Sequence, residues 1–166
     1  MTIAASFIFN QVKEVMLGSS ANSIGVEGLT SLSLTSSVRA MLILANYDAA
    51  AGMVASTTTS IRSVFSSRVP TGNAAYGSQS ADMALTTPVV SDSTNGVVHF
   101  DADDGVFAGS VSTGGVIAGI LIYKAVAGLD ASSYPIAVIA ITTVTANGAS
   151  ININWDNGVN RIFALT

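Results

Sequence analysis

The residues best suited to chemistry crowd into one short stretch: His99, the only histidine, is followed by Asp101, Asp103 and Asp104. Carboxylates so closely spaced suggest calcium, which takes roughly six to eight oxygen ligands. An EF-hand loop requires glycine at its sixth position and glutamate at its twelfth. Counted from Asp101, those positions hold Val106 and Ser112, so the motif fails at both. The acidic run reads instead as a solvated turn between strands, where aspartate is at home. His99, with serines abundant, could furnish the base of a nucleophilic triad. No G-x-S-x-G elbow accompanies it; the nearest approach, Gly109-Ser110-Val111-Ser112, lacks the closing glycine. His99 therefore reads as a strand histidine with an ordinary hydrogen bond.

Other motifs resolve the same way. Ser112-Thr113-Gly114-Gly115 precedes a strand, whereas a phosphate-cradling glycine loop follows one and opens a helix. It reads as a turn, as does Asp156-Asn157-Gly158. Trp155 and Phe163 read as core anchors, although a surface tryptophan could stack on a sugar. The chain has no cysteine, which removes disulfides and thiolate metal sites. No catalytic set, metal site or cofactor is expected.

The elements that carry these residues are strands. Gly115–Thr166 divides into Val116–Lys124, Ile136–Val144, Ser150–Trp155 and Val159–Leu165, separated by Gly128-Leu129-Asp130, Asn147-Gly148 and Asp156-Asn157-Gly158. The connections are too short for βαβ crossovers, so the spacing predicts an antiparallel meander. Ile151, Ile153 and Trp155 alternate with Asn152 and Asn154, the mark of a half-exposed strand. Upstream, Ser37–Tyr47 is apolar on both faces and fits a central strand. Ser80–Thr87 reads as a strand ended by Pro88, and Ser91–Gly96 as a turn that returns the chain along Val97–Asp101, before Gly105–Ala108 restarts. Ser6–Leu17 is the one helix expected. Ile8, Val12, Val15 and Met16 form its apolar stripe, Ser6 its cap and Gly18 its stop. Ser19–Leu34 is loop-like, and Asp48–Ser80 is the least regular stretch, an outward loop or arm.

At 166 residues the chain reads as a single domain, 1–166. Its hydrophobic fraction is 49%, its charged fraction only 10% and its mean hydropathy +0.57. No apolar run approaches the roughly 18 residues of a membrane-spanning helix. Apolar surface on so ion-poor a chain is expected to be covered by other subunits, because obligate interfaces are more apolar than ordinary surface. Net charge is −4, and Lys13, Arg39, Arg62, Arg68, Lys124 and Arg161 are scattered singly. Direct nucleic-acid binding, which needs clustered cations, is not expected. Lys13 follows the first apolar residues instead of preceding them, so a secretory leader is not expected and synthesis in a cytoplasm is.

The runs FIFNQVKEVMLG (Phe7–Gly18), VRAMLILANYD (Val38–Asp48), VVHFDADDGVFAG (Val97–Gly109), GGVIAGILIYKA (Gly115–Ala125), YPIAVIAI (Tyr134–Ile141) and INWDNGVNRIFAL (Ile153–Leu165) occur in this order. That order resembles a family of tailed-phage virion proteins, the small head decoration or capsid cement proteins. The resemblance is nearly full length, interrupted by Asp48–Ser80. The chain departs from the family pattern at Ala137-Val138, where a leucine–isoleucine pair often sits, and in its alanine- and serine-rich middle. The resemblance implies an all-β protomer, a jelly-roll-like antiparallel β-sandwich with one short N-terminal helix. It further implies a homotrimer bound to the major capsid protein on the outer surface of the virion, made in the host cytoplasm. Contacts are then expected from the helix through Phe7, Phe9, Val12 and Met16. The middle segment would add Ile61, Val64, Phe65 and Tyr76. A tail, neck or fibre component, or a carbohydrate-binding module of an adhesin, is the alternative.

Overall fold

The computed structural model describes residues 7–8, 37–45, 82–92, 98–108, 115–126, 133–155 and 162–165. Their regular structure is entirely strand: β1 (Phe7–Ile8), β2 (Val38–Leu44), β3 (Met83–Ala84), β4 (Val89–Asp92), β5 (Val98–Asp101), β6 (Gly105–Phe107), β7 (Val116–Lys124), β8 (Tyr134–Thr145), β9 (Ile151–Ile153) and β10 (Phe163–Leu165). Three sheets result, ordered β1-β8-β7-β2-β3, β10-β5-β4 and β6-β9. Every pairing is antiparallel. The protein is all-β over this part of the chain.

β7 is the spine of the largest sheet. Its Ile117, Ala118, Ile120, Leu121, Ile122 and Tyr123 are all at most 1% exposed. A strand apolar on both faces satisfies its backbone only with a partner on each side, and β7 has β2 on one side and β8 on the other. Burying each large aliphatic residue here is worth about 1.5–3 kcal/mol against leaving it in water. β2 repeats the pattern, with Met41, Leu42 and Ile43 buried, as its two apolar faces foretold. One hydrophobic cluster joins these residues to Phe100 of β5, Phe107 of β6, Ile153 of β9, Trp155 and Ile162, so all three sheets feed one core.

The ladder is irregular at Ala118. Ile117 faces Val144 while Gly119 faces Ala140, which sets residues 141–143 of β8 against Ala118 alone. On its other side β7 is the strand with the spare residue, since Leu44 faces Ile117 and Ile43 faces Gly119. Such bulges sharpen local twist, and from Thr142 within this one through Thr145 the chain is exposed.

Several expectations are corrected. The four C-terminal strands do not form a meander: β7 and β8 pair, but β9 joins β6 and β10 joins β5. β1 covers only Ala137 and Val138 of the outer edge of β8, so among the described residues that edge is not filled. What draws β9 to β6 is buried Trp155 just beyond it, whose N–H is held by Asp104 beside β6. The expected helix does not begin at Ser6, because Phe7 and Ile8 pair as a strand with Val138 and Ala137. Phe and Ile are indifferent helix formers and good strand formers, so an available sheet edge decides. The remainder of that helix, 9–17, lies outside the described residues. Of the expected strand over 80–87, residues 80–81 lie outside the described residues, and the rest is strand only at Met83–Ala84, with Thr87 at a φ of 45° ending the extended run. Ser91 and Asp92, expected in a turn, close β4, and it is this strand after Pro88, not the expected 80–87, that pairs with β5.

Candidate contact surface and polar network

The acidic run is the turn expected between β5 and β6, and each carboxylate is engaged. Asp101 Oδ1 accepts from the Ala102 N–H at 2.9 Å and Asp104 Oδ1 from the Trp155 N–H at 2.7 Å. Asp103 Oδ2 accepts from the Thr87 hydroxyl. The Asp103 N–H in turn donates to the Thr86 carbonyl at 3.1 Å. The turn is thus a clasp that ties the β3–β4 link to the end of β9. Among the described residues, no group of three or more His, Cys, Asp or Glu side chains is gathered closely enough to hold a metal ion.

A second polar cluster was not legible in the sequence. Asp82, only 5% exposed, accepts a 2.6 Å hydrogen bond from the hydroxyl of fully buried Tyr123. Arg39 of β2, which faces both Tyr123 and Ala84, donates from Nη1 to the Asp82 carbonyl at 2.9 Å. A carboxylate that accepts from a buried hydroxyl makes one of the stronger protein hydrogen bonds. β3 has only two residues in the ladder, so this network supplies much of what holds it to the sheet. The only signal available beforehand was one aspartate beside a short apolar run, 43 positions from its arginine.

Next along the sheet, partial burial holds the Lys124 ammonium below its ordinary pKa, because desolvation penalises the charged form. Ser133, fully buried, accepts from the Val126 N–H at 3.0 Å and pins the two ends of the β7–β8 connection.

His99 sits on β5 as expected, buried, and among the described residues its Nδ1 has no hydrogen-bond partner. Trp155 is 7% exposed and belongs to the core, and its Nε1 has no hydrogen-bond partner among the described residues. A tryptophan so covered presents no open face for a sugar. Phe163 also anchors the core, stacking on Phe100 with ring centroids 5.0 Å apart.

The large apolar side chains exposed among the described residues are all valines: Val89, Val90, Val106, Val116 and Val144, each 40–48% exposed. Val89 and Val90 are neighbours on β4, an edge strand among the described residues. Of the expected contact residues, Phe7 is placed in β1; Phe9, Val12, Met16, Ile61, Val64, Phe65 and Tyr76 lie outside the described residues. Among the described residues no helix is long and apolar enough to cross a membrane. No family model, curated protein or solved structure matches this chain.

Proposed function

We propose that this chain is a capsid cement protein of a tailed phage, a β-sandwich protomer that associates as a homotrimer and clamps the major capsid protein lattice by binding alone. The observation that carries the reading is the edge strand β4, whose adjacent Val89 and Val90 stand in solvent on a chain only 10% charged. Solitary proteins blunt such edges with lysine, proline or a covering loop. β4 has Pro88 at its entrance and a single charge, Asp92, at its end, with Val89 and Val90 between them. An apolar strand edge of this kind, with one valine on each side of the sheet and only Asp92 charged, can dry out on contact with little ionic surface to desolvate.

A shell under pressure from packaged DNA gains from many copies of a small clamp. Each copy buries apolar area worth roughly 25 cal/mol per Å² before association costs. Repetition over a symmetric lattice adds avidity without new chemistry. The order of motifs from Phe7 to Leu165 supports the same reading. Cryo-electron microscopy of virions tests it: density for this chain on the outer surface of the shell is the expected result, and its absence there overturns the proposal. A tail, neck or fibre role would appear instead as a few copies away from the shell. The glycan-binding alternative is weakened by the burial of Trp155.

A further inference from the structure

The β8–β9 connection contains Asn147-Gly148, and its geometry has a chemical consequence. Asn147 is exposed, and its side chain folds back so that Oδ1 accepts a 3.0 Å hydrogen bond from the Ala149 N–H. Gly148 follows with a φ of 87° and no side chain to shield its nitrogen. Among the described residues the Gly148 N–H has no hydrogen-bond acceptor.

We propose that Asn147 is a self-modifying site, at which the fold promotes conversion of the amide to aspartate and isoaspartate. Base removes the proton from the Gly148 amide nitrogen, which attacks Cγ of Asn147. The new N–Cγ bond forms as the Cγ–Nδ2 bond breaks, and Nδ2 leaves as ammonia. The resulting five-membered imide then takes up one water. Opening at one carbonyl gives aspartate; opening at the other leaves the backbone running through the side chain as isoaspartate. No oxidant, metal or second protein is needed.

Negative charge develops on Oδ1 as the nitrogen attacks. The Ala149 N–H already points at that atom, as a donor in an oxyanion hole does. Most folds slow this reaction by holding the amide away from the backbone nitrogen. Here the fold holds the side chain over the turn, leaves the attacking nitrogen uncommitted and supplies a donor to the oxygen that gains charge. Each event also adds a negative charge to a chain of net charge −4.

The test compares the full chain, native and urea-unfolded, in the same mildly alkaline buffer. Peptide mapping by mass spectrometry reads the gain of about one dalton at residue 147, and isoaspartate is identified by its altered fragmentation. The expected result is conversion at Asn147 at least as fast in the native chain as in the unfolded one, accelerating with hydroxide concentration. A native rate below the unfolded rate overturns the proposal, because the fold would then be protecting the site. Mapping separates residue 147 from the other Asn-Gly pairs, Asn95-Gly96 and Asn157-Gly158.

Discussion

Thr87 combines a backbone of φ 45° with a branched Cβ, a pairing that usually costs about 1–2 kcal/mol. Its hydroxyl bond to Asp103 offsets part of that cost. Thr87→Val keeps the strain and removes the bond, whereas Thr87→Asn tolerates the left-handed region and keeps a polar tip. Denaturant titration should therefore find the Asn variant more stable than the Val variant by about 1 kcal/mol or more. Equal stability would mean that neither strain nor bond matters. Lys124 makes a pH prediction. Its folded pKa lies below the ordinary lysine value through desolvation, so near the upper range the unfolded chain holds more protons than the folded one. Stability should accordingly rise as pH climbs through the folded value, and Lys124→Gln should remove that increment from the titration series. At this scale the acidic turn was legible, because three aspartates around one alanine suit a turn and little else. Asp82 was not, since its partners come from β2 and β7 and only the assembled sheet brings them near.

Among the elements, β7 and β2 could be read directly: continuous apolar runs flanked by glycine or serine leave few choices but buried strands. β7 falls where expected, at Val116–Lys124. Their neighbours could not be read with the same ease. Turn residues record where a chain reverses, but not which edge the next strand will find. β9 shows the difference, since Asn147-Gly148 turns the chain as expected and yet delivers it to β6. β3 was overestimated because Leu85 and Ala84 continue an apolar pattern that Thr87 then interrupts. Two measurements probe this joint. At Gly105 a Cβ would overlap the Met83 sulfur, the far end of a flexible side chain that would have to turn aside where β3 meets β6. Gly105→Ala should cost about 1–3 kcal/mol, and less in a Met83→Ala background. Strict additivity in that double-mutant cycle would refute the contact. Tyr123→Phe should cost about 1.5–3 kcal/mol through the bond to Asp82. Hydrogen exchange should then rise first in β3, which leans on that bond.

For the molecule as a whole, composition says more than any single residue. A chain with 49% hydrophobic and 10% charged residues has little ionic surface with which to remain alone. The core shared by three sheets absorbs much of the apolar content, and the exposed valines of β4, β6, β7 and β8 are the remainder on view among the described residues. The all-β class was legible because strand-length apolar runs and turn clusters alternate along the chain. The partner was not, because a binding face carries no signature motif of the kind that a nucleophile or a metal ligand does. The proposed function requires those faces to be covered by other chains. Size-exclusion chromatography with light scattering on the purified protein tests that most directly. A particle of three times the 16.8 kDa of one chain, stable on dilution, is the result expected. A monodisperse monomer at every concentration would contradict it.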